Sequence, residues 1–266
     1  MDPIESTPRP WTFTRGDGPL VAVALHAGRE IRPDLAPILA APPEALAPEE
    51  DTLTDRWTRV ARCRIVVHAS RFGLDLNRPR ERCVYSGPDE AWGIPLWKGP
   101  VPREVRERSL ALHDAFYREA ARLLDRMAAR HGAVAVLDLH AYNDRRPGGA
   151  PRNPPDPRHP DVDVCTGSVD LPRWGPLVEE LTRALARQEI DGRPLAVGRN
   201  ARFRGGHFCR WVNRAYRGSA VAIALEARKT YVDPVTGLVD LRRFEEIGRA
   251  LGAAARAAEE ALARRP

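Results

Sequence analysis

The stretch Ala133–Tyr142 reads AVAVLDLHAY, an apolar run that ends in the polar residues Asp138 and His140. A short apolar run with β-branched residues, entered from Gly132, is the pattern of a strand covered on both faces. In open α/β sheets, ligands bind beyond the carboxyl ends of such strands. A histidine there is either a ligand or a side chain satisfied by a loop carbonyl, and alone it favours the second reading. A second stretch of the same design shifts the balance. Leu20–His26, LVAVALH, is again an apolar run that delivers a histidine, followed by the small residues Ala27 and Gly28. A third, Ser219–Glu226, SAVAIALE, ends in a glutamate.

Helical patterns separate these runs. A helix is expected from Thr52–Thr54 through Trp57 and Val60, with Thr52 and Asp55 as a variant capping box. A strand follows at Cys63–Ala69. Pro102 suits the first turn of a long helix ending near His131 and Gly132. Further helices are read over Gly175–Ile190 and from Asp240 to the C-terminus, the latter with Leu241, Phe244, Ile247 and Leu251 on one side. Leu195–Gly198 reads as a short strand, and Phe203–Arg217 as a loop or strand region. Residues 1–19 read as a polar arm. The Pro- and Arg-rich stretch 143–160 forms no regular element, and loops of that length are often lids or binding loops. Strands alternating with helices imply a largely parallel sheet covered on both faces, in a single domain over residues 1–266.

At 266 residues and 43% hydrophobic, the chain can bury one large α/β core. Its net charge of +6 comes almost wholly from arginine, since Lys98 and Lys229 are the only lysines. Those arginines are interleaved with acids, as in PREVRERS and DLRRFEEIGRA, the pattern of solvated helix faces rather than of a nucleic-acid surface. No apolar run approaches the ~20 residues of a membrane helix. Cys63, Cys83, Cys165 and Cys209 lack CxxC spacing and read as reduced thiols. With no signal peptide visible, a cytoplasmic location is expected.

Two histidines and a carboxylate suffice to hold Zn²⁺ with one position left for water. A further carboxylate near that water can take its proton and deliver it to a leaving group. Glu30, Glu50, Asp51, Asp55, Asp138 and Glu226 are candidates for the two jobs. The residues by themselves thus point to a metal-dependent hydrolase.

Six blocks, in order, resemble the N-formylglutamate amidohydrolase family, relatives of the zinc carboxypeptidases and aspartoacylases. They are HAG at 26–28, EDTLTD at 50–55, SRFGLDLNRP at 70–79, DLHA at 138–141, NARFRGGHFCR at 200–210 and ALEARKTY at 224–231. The resemblance implies a three-layer α/β/α sandwich with a mostly parallel mixed sheet, as in the zinc carboxypeptidases. It implies His26 and His140 as ligands of one Zn²⁺ per chain, other divalent metals being compatible. The position of the carboxypeptidases' ligand glutamate, three after the first histidine, is Arg29 here. The related enzymes place a ligand acid just before a helix start, which favours Asp51 over Glu30 and Asp55. Glu226 resembles the catalytic glutamate, and Asn77 and Arg78 the pair that holds a substrate carboxylate. Arg210 and Arg228 are further candidates for the anion or the oxyanion, Arg228 equally for a structural ion pair. His207 stands where the family usually has an aromatic and is expected to contact substrate.

Asp75 and Asp138 read as acids that support ligands rather than bind metal. His68 reads as a core histidine, His113 and His131 as surface residues, and Tyr142 and Tyr231 as packing residues. The activity implied is hydrolysis of the amide of an N-formyl or N-acyl amino acid, a small substrate carrying a carboxylate. The alternatives are a specialised hydrolase of a modified amino acid or peptide, or a binding protein that kept the fold without turnover.

Overall fold

The structure is a computed structural model that describes residues 9–145, 149 and 155–265. Residues 146–148 and 150–154 of the 143–160 stretch and the first eight residues of the expected arm lie outside the described residues. In chain order the elements begin with β1 (Trp11–Thr14), β2 (Leu20–Ala24), α1 (Pro43–Leu46), α2 (Thr54–Trp57), β3 (Cys63–Val67), α3 (Arg103–His131) and β4 (Val134–Tyr142). There follow β5 (Val162–Cys165), α4 (Leu171–Ala186), the hairpin β6 (Glu189–Ile190) and β7 (Arg193–Pro194), and β8 (Val197–Arg199). The chain closes with α5 (His207–Ala215), β9 (Ala220–Arg228) and α6 (Leu241–Ala263).

Seven strands form one sheet in the order β1-β3-β2-β4-β9-β5-β8. The central ladders, β3–β2, β2–β4 and β4–β9, are parallel. The antiparallel pairs are β1 on β3 and β5 on β9. Alternate residues of the central strands go to opposite faces, as a period of two requires. Leu20, Ala22, Ala135 and Leu137 pack with Trp174 and Leu177 of α4 and Ile247 and Leu251 of α6. Val21, Val23, Val134 and Val136 pack on the other face with Phe116 of α3 and Phe208 and Val212 of α5. This is the expected α/β/α sandwich with a mixed, mostly parallel sheet.

Several local expectations are corrected. Residues 11–14 are not an arm but an edge strand, paired with β3 in register from Trp11↔Val67 to Thr14↔Arg64. Both β4 and β9 run past their apolar stretches, to Tyr142 and Arg228, because the ladder between them continues. The helix expected over 52–60 is one α-turn followed by a 3-10 turn, Thr58–Val60. It has no capping box: Leu53 occupies the cap with φ 65° and offers no side-chain bond. Leu241 at the head of α6 is 66% exposed, so the buried stripe starts later, at Ile247. His113 is buried, its Nε2 3.0 Å from the Arg78 carbonyl oxygen, and His68 is half-buried beside Thr12 Oγ1.

The segment 203–217 contains the helix α5 rather than a strand. Phe208, Cys209 and Val212 form its inward face. Beyond the reach of β5, one edge of β9 is uncovered at Ala222, and α5 covers it with a side chain. Asn213 Nδ2 donates to the Ala222 carbonyl at 2.9 Å, and the Ala222 N–H donates to Asn213 Oδ1 at 2.7 Å. Ala222 is 1% exposed, so these main-chain groups have little access to water. Leaving a buried backbone group unpaired costs about 1–3 kcal/mol. Asn213→Leu is therefore expected to lower the unfolding free energy by about 2–4 kcal/mol, read from urea denaturation. A loss below ~0.5 kcal/mol would mean that the edge is satisfied in some other way.

Candidate metal centre and active-site cleft

The site sits at the carboxyl ends of the three central strands. His26 lies two residues past β2. His140 of β4 and Glu226 of β9 are direct partners in the β4–β9 ladder. Asp51 arrives from outside the sheet, on the irregular segment before α2. Its N–H donates to the His26 carbonyl at 3.0 Å, and its own carbonyl accepts from Thr54 N and Oγ1. Gly28 lets the chain leave β2 close to β3: a Cβ there would lie 2.1 Å from the His68 carbonyl oxygen.

The two imidazoles present the same nitrogen inward. Asp51 Oδ2 lies 2.9 Å from His140 Nδ1 and 3.8 Å from His26 Nδ1. Outward, His26 Nε2 lies 2.9 Å from Asp75 Oδ1, and His140 Nε2 lies 3.0 Å from Asp138 Oδ1. The Asp75 carboxylate hydrogen-bonded behind His26 favours its Nε2–H tautomer and turns the Nδ1 lone pair inward, which is how histidines are oriented to bind metal, while Asp138 stands at ion-pair distance behind His140. His26, Asp51 and His140 are all buried, and their donor atoms lie within 4.8 Å of one another. Among the described residues this is the one such group. Of the other acids weighed, Glu30 is exposed, Glu50 pairs with Arg29 and Asp55 with Arg56.

The electrostatics also favour a cation. Burial by itself raises the carboxyls of Asp51 and Asp75, yet both are held below the usual range, Asp51 by His140 and His26, Asp75 by His26 and Arg71. Burial disfavours the charged form of His140, but Asp138 and Asp51 on either side outweigh it and raise its pKa well above the ordinary value. Glu226 is pushed up to about 7, chiefly by burial; His140 opposes the shift and the charges of Asp51 and Asp138 add to it. Four carboxyl groups thus crowd one buried region in which Arg71 is the nearby fixed cation. A divalent ion among two nitrogens and a carboxylate fits both the donor set and the charge.

Asp75 is braced in turn. It accepts from Tyr85 Oη at 2.6 Å, from the Asn77 N–H at 2.9 Å and from Arg71 Nη2 at 3.3 Å. Asn77 is clamped against the start of α5. The Phe208 N–H donates to its Oδ1 and the His207 N–H to its carbonyl, while its Nδ2 lies 3.3 Å from His140 Nε2. Gly206 makes room for this: a Cβ would fall 2.1 Å from Asn77 Oδ1.

His26, Asp51, Asn77, His140 and Glu226 line one cleft of about 810 Å³. The other expected binding residues do not line it. Arg78 turns away, stacked 4.0 Å over the Tyr85 ring and donating to the Glu90 carbonyl. Arg210 is exposed and donates to the Gly205 carbonyl. His207 faces Tyr117 and His113 instead, and burial and His113 lower its pKa. Arg228 is buried in ion pairs with Asp161 at 3.1 Å and Asp144 at 3.4 Å, the structural role weighed for it. The cleft walls include residues not singled out from the sequence: Arg71, Trp92, Arg202, Arg204 and Lys229. Arg71 was within reach of sequence reading, since it belongs to the SRFGLDLNRP block. Lys229, one of two lysines, was a second signal. Nothing local marks Trp92, which lines the cleft and adopts φ 54°.

A model of the N-formylglutamate amidohydrolase family matches residues 18–232. No curated protein matches the sequence. Among solved structures, N-formylglutamate amidohydrolase from Ralstonia eutropha JMP134 aligns with TM-score 0.74 and 19% identity, over 95% of this chain and 98% of that one. A gene product of Agrobacterium tumefaciens aligns with TM-score 0.57 and 16% identity, over 92% of this chain and 91% of that one. Carboxypeptidase A from Helicoverpa armigera gives TM-score 0.42 and 14% identity, over 91% of this chain and 62% of that one. The extent of the family match, from just before β2 to just after β9, places this chain in the N-formylglutamate amidohydrolase family.

Proposed function

We propose that the protein is a metal-dependent amidohydrolase that cleaves the amide of an N-formyl or N-acyl amino acid, with N-formylglutamate as the first substrate to try. The observation that carries this reading is the convergence of His26, Asp51 and His140 beside Glu226, all lining one cleft. A zinc-class ion held by those three residues supplies Lewis acidity, polarising a carbonyl and acidifying water. Asp75 keeps His26 in the ligating tautomer, and Asp138 places a negative charge behind His140.

Glu226 is placed for both proton transfers. As a carboxylate it takes a proton from the attacking water, and as a carboxylic acid it gives that proton to the departing nitrogen. Its half-burial and its position next to His140 on the adjacent strand support that assignment. Asn77 Nδ2, 3.3 Å from His140 Nε2, is a donor beside the ligand cluster for the charge that develops on the carbonyl oxygen. The substrate is a small molecule bearing a carboxylate. A cytoplasmic location fits the four cysteines, all free thiols and all buried. Among the described residues no helix is long and apolar enough to cross a membrane.

Purified protein is expected to carry near-stoichiometric zinc and to hydrolyse N-formyl-L-glutamate. His140→Ala should lose metal and turnover together, as measured by elemental analysis beside the assay. Wild-type protein that takes up no metal even after reconstitution would end this reading.

Glu226→Gln should keep its metal and lose about 10²–10⁴-fold in kcat. Only ionised Glu226 can accept the proton, so kcat/KM should rise with pH along an acid limb at or below about 7. A bound cation moves that limb downward by favouring the carboxylate. A wild-type profile flat between pH 4 and 7 would argue against Glu226 as the base.

A further inference from the structure

With Arg78, Arg210 and Arg228 turned away, the cleft still has five cationic side chains: Arg71, Arg145, Arg202, Arg204 and Lys229. Three are already engaged. Arg71 bonds Asp75 and Tyr85 Oη and lies 3.8 Å from Asp51. Arg145 pairs with Asp233 at 3.1 Å. The Lys229 ammonium donates to the Pro48 and Glu50 carbonyls at 2.8 and 2.7 Å. Among the described residues, neither Arg202 nor Arg204 has a carboxylate within ion-pair distance.

Arg202 is nevertheless held in place. Its guanidinium carbon lies 5.0 Å from the centroid of the Tyr142 ring and 5.5 Å from that of Phe203. Contacts of this kind use the face of the guanidinium and leave its in-plane N–H fork free. Tyr142 stands two residues after His140 on β4, so this platform belongs to the strand that carries a candidate ligand.

The loop beneath Arg202 is equally fixed. Asp163, fully buried, accepts from the N–H groups of Ala201, Arg202 and Phe203 at 2.9, 2.8 and 3.1 Å. Asn200 exchanges two 2.8 Å bonds with Thr166, and the Gly167 N–H donates to the Arg204 carbonyl at 3.0 Å. Asp163 is also the register partner of Glu226 across β5 and β9. One buried carboxylate thus ties the arginine loop to the strand of the proposed base. A guanidinium fork on a rigid loop, without an internal anion, is pre-organised for a carboxylate from outside.

We propose that Arg202, with Arg204 beside it, receives a carboxylate of the amide substrate and sets the specificity of this cleft, in the place that sequence resemblance gave to Arg78. The assignment rests on the amidohydrolase reading for its substrate, but the anion site itself stands on the geometry of the loop.

The test uses zinc-loaded wild type, Arg202→Met, Arg202→Lys and Arg204→Met. Each is assayed on N-formyl-L-glutamate and on its uncharged diamide, and titrated calorimetrically with glutarate. A bidentate charge-assisted contact predicts that Arg202→Met shrinks the preference for diacid over diamide at least about tenfold, mainly through KM, and weakens glutarate binding similarly. Arg202→Lys should recover part of both, since it restores charge without the fork. Arg204→Met should show a smaller shift in the same direction. Unchanged preference and unchanged glutarate affinity in Arg202→Met would overturn the proposal, as would a wild type that neither turns over substrate nor binds glutarate. Arg202-dependent glutarate binding without turnover would sustain the anion site while ending the amidohydrolase reading.

Discussion

Everything at the carboxyl edge of the sheet depends on one buried carboxylate shared by two imidazoles. Asp51 is 3% exposed, a position in which burial alone would push its carboxyl toward the neutral form. The contacts with His140 and His26 reverse that, and the Ala141 N–H adds a third donor at 3.2 Å. A charge placed so deep is tolerable only when every neighbour is positioned for it. The positions of β2, β4 and the irregular segment before α2 are therefore mutually constrained.

That segment has no β-ladder to hold it, so its backbone groups find side chains instead. Lys229 takes the Pro48 and Glu50 carbonyls, Tyr231 Oη donates to the Thr52 carbonyl at 2.7 Å, and Arg71 Nη1 reaches the Glu49 carbonyl. Burial drives the Lys229 ammonium down to about 8, and the negative charge of Asp51 and its acidic neighbours opposes the shift. Tyr231 is a packing residue as well, set edge-on to Trp57 at 5.2 Å. The end of β9 and the residues after it thus both deliver Glu226 and fasten the approach of Asp51.

The arginine-rich composition acquires meaning only by location. Many arginines pair with acids on solvated faces, as Arg103 does with Glu107 and Arg242 with Glu246. Arg228 is buried in a structural ion pair with Asp144 and Asp161. Arg71 stabilises the acids that orient the histidines. Among the cations of the cleft, Arg202 and Arg204 differ from Arg71 and Arg145 in having no acid partner among the described residues, and the Asp163 carboxylate of their loop is taken up by backbone N–H groups.

The sequence by itself determined the sheet and the core of the site. Apolar runs too short for helices and closed by His26, His140 and Glu226 require buried parallel strands, and strand ends in such a sheet converge by topology. Asp51 was legible too, through its place before a helix start and its family block. The orientation of the long polar side chains was not. Arg78, Arg210, Arg228 and His207 occupy the expected blocks, yet each has several rotatable bonds or a competing partner: Glu90 and Tyr85, the Gly205 carbonyl, Asp161, Tyr117. Similarly β1, β5 and α5 gave weak local patterns, being short or punctuated, and formed because neighbours supplied a ladder or an uncovered edge. Backbone periodicity is a local property that a sequence carries. Which cation meets which anion in a cleft depends on groups brought together from distant parts of the chain, and only the tertiary structure decided that.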